Sequence, residues 1–567
     1  MAVARATARA TRPTLSRGGQ LALLAPPTLF LLVLFVQPVA AIVWRGLAPD
    51  GAPDLSGVVG VLTSPSVRGV VWFTLWQAVA STALTLALGL PGAYALSRLR
   101  FRGRRTVSAL VLVPFVLPTV VVGSAFLALL GPRSPINSAL VGLLGSGAPT
   151  LDLRRTVVAI LLAHAFFNYA VVVRTVGGAW ANLDPRLEDA ARSLGASRWR
   201  AVREVALPLL RPAILASAAI VFLFTFTSFG VVLLLGGPGL ATLEVEIHRA
   251  TVQLLDLPLA SVLALLQLVA VIAALTVYGR LQRRSVARTP RAADEALHAP
   301  ATASERWFLR ANLVVIGLLL VAPPAVLVER ALATGDGYGL GHFTGLATQA
   351  RGTVLAVAPL AAVRNSLVFA VAAAVIATVL GTCTAIAVTG RRGRLTRLVD
   401  RGLMLPLGTS AVTVGFGFLI SLDRPPFDLR GSVLLVPLAQ ALIATPFVVR
   451  SLVPAIEAID TRLREAAGVL GATPRRIWRE VDLPIVARTA LVATGFAFAI
   501  AVGEFGATVF VARAELPTVP VAIFRALGRP GAANFGQAMA LSTILMAVTA
   551  SALLLIDRLR VGEVGRF

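Results

Sequence analysis

The chain has 567 residues, 57% hydrophobic and only 14% charged, with a mean hydropathy of +0.83. A soluble domain carries about 25% charged residues, so the composition argues against a soluble protein and for one that lives in a membrane. The net charge of +25 comes wholly from arginine, since lysine does not occur. The arginines sit in short segments between apolar runs, with no continuous basic face interleaved with aromatics, and this sets nucleic-acid binding aside.

From the N-terminus, Arg5, Arg9, Arg12 and Arg17 precede an apolar run over 20–44. The pattern resembles a signal peptide, but the run is long enough to span a bilayer and is read as a retained first helix. Further spans are expected at 70–97, 106–130, 155–178, 212–236 and 257–279. A second set follows at 309–332, 363–390, 400–421, 432–456, 486–512 and 535–556. In hydrocarbon these must be helices, because every backbone polar group needs an internal partner. The expected fold is an all-α polytopic membrane protein of about twelve transmembrane helices in two homologous six-helix halves, 1–279 and 309–567. The polar, proline-containing segment 280–308 reads as an exposed cytoplasmic linker. The longest outer loop, 333–362, is too short to fold as a domain of its own.

Arginine counts choose the orientation. With the N-terminus inside, the inner segments hold 38 of the 52 arginines and the outer segments 14. Both termini are expected in the cytoplasm of a multi-pass inner-membrane protein, and the clusters Arg98–Arg105 and Arg391–Arg394 read as topology signals. Cys383 is the single cysteine, and His164, His248, His298 and His342 show no ligand spacing, so no metal site is expected.

Self-comparison reveals a duplication. Shifted by 276 residues, 162–230 aligns on 438–506 without a gap, and 13 of the 23 positions from Arg186 to Pro208 are identical to their partners. Upstream the shift is about 292, where Gly89 meets Gly381. The best-matched part lies between spans, in loops over 184–210 and 460–486. Asp184 and Asp460 are helix starts, Gly195 and Gly471 are helix ends, and Ser197 and Thr473 can cap a second helix running to Leu207-Pro208 and Leu483-Pro484. Leu187, Ala190, Ala191 and Leu194 share a face that Leu463, Ala466, Ala467 and Leu470 repeat. A short helix with a small-residue face suits insertion into a groove on another protein; an ordinary surface loop duplicated with its helices is the plainer alternative.

Both loops resemble the EAA loop of type I ABC-importer permeases. In the first, Glu188-Asp189-Ala190-Ala191 with Gly195 and Leu207-Pro208 carries the pattern, Asp189 standing where the family has glutamate. In the second it is Glu465-Ala466-Ala467 with Gly471 and Leu483-Pro484. The resemblance implies that these residues couple to two copies of an ABC ATPase subunit, with an extracytoplasmic solute-binding protein delivering substrate. A phosphate-binding Walker A loop needs a lysine, so ATP hydrolysis is expected in the partner, and this chain is expected to be a transport subunit with no bound cofactor. Fused permeases of this kind serve thiamine and ferric iron. The similarity leans to thiamine on 73–78, 161–168, Ser228-Phe229-Gly230 and 502–506. Glu504, an intramembrane carboxylate, is a candidate for the translocation path together with Phe505, Ser228, Phe229 and Asn168; a structural carboxylate hydrogen-bonded between helices is the alternative. A twelve-helix ion-coupled secondary transporter is the competing function.

Overall fold

The computed structural model describes residues 16–48, 51–145, 147–283, 297–335, 337–348, 356–390, 393–423, 425 and 428–561. Arg5, Arg9, Arg12, Arg391 and Arg392 lie outside these. The described chain is helical apart from an isolated bridge and one two-stranded ribbon, Ala333–Thr334 against Gly337–Tyr338. Among the described residues eleven helices are long and apolar enough to cross a membrane, and the pair Arg394–Gly408 and Ala411–Ser421, bent by 104°, makes a twelfth if it is one span.

Several expected spans are broken at matching places in the two repeats, and the first repeat carries one further break after Leu110. The 106–130 span is divided into Arg104–Leu110, Val113–Val116 and Thr119–Leu130, with Pro114 and Pro118 at the breaks. The 400–421 span bends after Pro406, and Ser410 caps the next helix. The spans expected at 212–236 and 486–512 stop at Phe226 and Gly503 and resume as Gly230–Leu235 and Thr508–Val511.

Prolines elsewhere are absorbed without a break. Four π-turns occur among the described residues, at Leu32–Val36, Val202–Ala206, Gly317–Val321 and Trp478–Asp482. Each ends two residues before a proline: Pro38, Pro208, Pro323 and Pro484. Proline lacks the N–H and crowds the carbonyl one turn back, and a widened turn relieves that clash. The second loop helices therefore do not stop at the Leu-Pro pairs as the sequence suggests. They run on into the next spans, Arg198–Phe226 and Pro474–Gly503.

Two compact units result, and they differ from the sequence halves. One comprises 46–354 and 523–546, the other 1–45, 355–522 and 547–567. The first span packs into the core of the second repeat, with Leu24, Leu31 and Phe35 against Val399, Leu403 and Phe418. The seventh does the converse, with Ile316, Leu319 and Leu320 joining Phe126, Phe166 and Tyr169. Covalent continuity defined the boundaries expected at 279 and 309; side-chain packing draws different ones.

Lipid offers helices no hydrophobic gain from associating, so close packing and interhelical hydrogen bonds hold each unit. A Cβ on Gly89 would come within 2.8 Å of Val172, and one on Gly381 within 2.6 Å of Val448, the same contact in each repeat. His164 bridges Ser81 and Ser228, at 2.8 Å to each hydroxyl.

Candidate functional site

Local chemistry builds both loops alike. Asp184 accepts from the Arg186 N–H at 3.1 Å and opens the helix Pro185–Ser193; Asp460 accepts from Arg462 at 2.9 Å and opens Thr461–Val469. Gly195 and Gly471 turn the chain at φ of +90° and +78°, a region costly for a residue with a Cβ. Ser197 and Thr473 then cap the following helices. Leu187 and Leu463 are exposed, and Leu194 and Leu470 are 90% and 87% exposed. Isolated exposed leucines need no explanation, but here each helix lifts two of them, beside Ala190 or Ala466, on one open face.

Beneath the helices the loops differ. Glu188 turns inward, and its Oε1 accepts from Arg98 Nη2 at 3.0 Å, both side chains being largely buried. The same Nη2 donates to Leu183 O at 3.3 Å. Asp189 points outward beside Arg192. Within the acidic pair of this loop, Asp189 is thus the group presented and Glu188 the group that pins. Arg98, expected as a topology signal, is a buried anchor; the charge difference at 188 and 464 between the repeats was the available clue to it.

A second brace comes from the end of the 280–308 segment. Its residues 284–296 lie outside those described, but His298 is docked and not freely exposed as a linker would be. Arg100 N donates to His298 O at 2.8 Å and His298 N to Arg98 O at 3.0 Å. Glu305 caps the next helix through Ala301 and Thr302 and meets Arg198 at 2.5 Å. Arg198 also donates to Tyr94 Oη at 3.2 Å and to His298 Nε2. A guanidinium only donates, so His298 Nε2 faces an Arg198 donor, and the same nitrogen lies 3.4 Å from Glu305 Oε1. Burial, then the Arg198 charge, hold the His298 pKa below its ordinary value. Tyr94 packs edge-on against Trp180 at 5.2 Å and Phe308 at 5.6 Å, filling the space under the loop.

In the second repeat the position of Glu188 is Arg464 and that of Ala206 is Asp482. Arg464 Nε donates to Asp482 Oδ1 at 2.8 Å, with both side chains buried. The pin is internal to the loop. The positions of Tyr94, Arg98, Trp180 and Arg198 are Ile386, Gly390, Ile456 and Pro474, and a cavity of about 450 Å³ opens where the larger side chains would lie. Asp482 lines it, and its Oδ2 has no hydrogen-bond partner among the described residues. Glu465, the counterpart of Asp189, is exposed.

The remaining candidates lie within the spans. Glu504 is buried at the break after Gly503, its Oε1 accepting from Ala507 N at 2.7 Å and its Oε2 from Thr508 N at 3.0 Å. Ser228 stands at the equivalent break and bonds to His164. Phe229 meets the His248 ring at 5.4 Å. Phe505 is buried, and Asn168 donates to His164 O of its own helix at 2.9 Å.

Residues 85–289 match the model of the family described as binding-protein-dependent transport system inner membrane component. The thiamine transport system permease protein ThiP of Brucella abortus (strain 2308) is 28% identical over 494 residues, covering 86% of this chain and 87% of that one. The protein of the same name from Escherichia coli (strain K12) is 28% identical over 479 residues, covering 81% and 83%. A probable molybdenum ABC transporter permease protein of Haloferax volcanii is 38% identical over 205 residues, 36% of this chain and 70% of the relative.

Proposed function

The chain belongs to the family of binding-protein-dependent inner-membrane transport components and is the permease of an importer, and from that premise we propose that its cargo is thiamine. The loops 184–210 and 460–486 each receive one ATPase subunit, which hydrolyses ATP and drives the spans between their alternating arrangements. Both termini and both loops then face the cytoplasm, and the solute-binding protein docks at the far end of the spans. The breaks after Phe226 and after Gly503 are the proposed path-facing segments, carrying Ser228, Phe229, Glu504 and Phe505, with Asn168 on the fourth span; interrupted helices expose backbone groups that can meet a solute.

The observation that carries the reading is the duplicated loop, which twice presents leucines and a carboxylate on a face the chain itself leaves open. Thiamine is supported by likeness to thiamine permeases along most of both chains.

The test is uptake in proteoliposomes containing this chain, its ATPase and its binding protein, offered thiamine, ferric iron or molybdate. ATP-dependent accumulation of thiamine is expected. Accumulation of iron or molybdate instead would reassign the cargo. Uptake that followed an ion gradient and ignored ATP would make the chain a secondary carrier.

A further inference from the structure

At the end of the first unit opposite its loop lies a cavity of about 700 Å³ with Arg133, Arg154, Arg330 and Arg529 in its wall. The helix Val157–Ala181 runs from just after Arg154 to just before the loop. At about 1.5 Å per residue, its 25 residues set the cavity about 37 Å from the loop, a full membrane thickness away. If the loops meet an ATPase inside, the cavity faces outside.

Arginine is uncommon there. Sequence bias keeps basic residues on the inner side, and the outer segments hold only 14 of the 52 arginines, yet four of them meet in one wall. Two are answered locally: Arg154 pairs with Asp152 at 2.7 Å and Arg330 with Glu329 at 3.1 Å. Arg330 also donates to the carbonyl of Arg133 and holds that turn in place. Arg133 and Arg529 are exposed, and neither has a carboxylate partner among the described residues. Four guanidinium groups against two carboxylates leave a surplus of positive charge in a concave surface.

We infer that this cavity is the docking point for an acidic surface segment of the extracytoplasmic solute-binding protein, with Arg133 and Arg529 as the groups that receive its carboxylates. The inference rests on the importer reading and adds to it where the partner lands and through which charges. Charge complementarity is the ground for that occupant: a guanidinium pair recognises carboxylates geometrically, and such contacts speed encounter and fix register.

The test uses the full chain with its ATPase in nanodiscs, titrated with thiamine-loaded binding protein. ATPase stimulation gives an apparent Kd at low and at high salt. Arg133→Glu with Arg529→Glu is expected to raise that Kd about tenfold or more at low salt and to flatten its salt dependence, leaving basal ATPase unchanged. The milder Arg133→Gln with Arg529→Gln is expected to act in the same direction, which separates charge loss from misfolding, and Arg68→Glu, on the first turn of another span, is expected to change neither quantity. An unchanged Kd and salt dependence in the double variant would overturn the inference. So would a raised KM for thiamine at saturating binding protein with docking intact, because the cavity would then hold a small anion or line the cargo's route. If the wild type shows no stimulation by binding protein at all, the importer pairing itself fails, an outcome distinct from either.

Discussion

The two duplicated loops share caps, turns and leucine faces but are held by opposite charges. The first is pinned by Glu188 to Arg98 on the preceding span and braced by Arg198, Glu305 and the docked His298. The second has an arginine where the first has a glutamate and closes the pair on its own Asp482, beside a cavity. Duplication preserved the open face of each loop and let the foundations diverge. A charge at the inward position can be reversed if a partner changes with it, whereas a buried charge left alone is strongly destabilising.

Reversing one member of a pin is the largest test of this comparison. Glu188→Arg sets two guanidinium groups together in a largely buried site and is expected to cost more than about 3 kcal/mol, the usual scale for breaking a buried pair. The measurements are thermal unfolding and ATP-driven uptake, and the exchange Arg98→Glu with Glu188→Arg should recover most of both. Failure of the exchange would mean that the bond from Arg98 to Leu183 O, not the ion pair, holds the loop.

Next in size is Asp482→Ala, which leaves Arg464 without its carboxylate. The neighbouring cavity can admit water, so a loss of about 2–3 kcal/mol is expected, at or below the low end of the buried-pair range. Rebuilding the first design, with Gly390→Arg, Arg464→Glu and Asp482→Ala together, should restore stability if the pins are interchangeable.

Glu504→Gln removes one charged acceptor from a buried turn. A loss of about 1–2 kcal/mol in stability is expected, together with a changed thiamine KM or cargo preference; a stability loss with both unchanged would make Glu504 a structural carboxylate and take it off the path. Filling the cavity with Ile386→Tyr should raise stability by about 1 kcal/mol, the scale of one aromatic pair, and lower ATP-driven uptake if the second loop uses that space to move.

The smallest effect is in pH. His298 is held neutral by a lowered pKa, so its contribution is present above the ordinary histidine value and is lost as pH falls through the lowered one. Thermal stability of the wild type should drop as pH falls below the ordinary histidine value of about 6.5 by more than that of His298→Asn, with the unfolding profile as readout.

Much of this protein could be read from its residues alone. Hydrophobic runs require membrane helices, and the 276-residue repeat locates both loops. Asp184, Gly195 and Ser197, with Asp460, Gly471 and Thr473, mark turns that the structure forms, because a cap or a left-handed glycine is settled within a few residues of chain. Prolines 114, 118 and 406 marked breaks that the span assignment smoothed over. What only the tertiary structure decided depends on neighbours far along the chain. Arg98 looks like any other inner arginine until Glu188 is beside it, 90 positions away. The leading helices join each other's repeats, His298 docks at Leu99, and four outer arginines converge on one wall. A sequence records how many charges each segment carries, but a buried charge acquires its role only when packing chooses its partner.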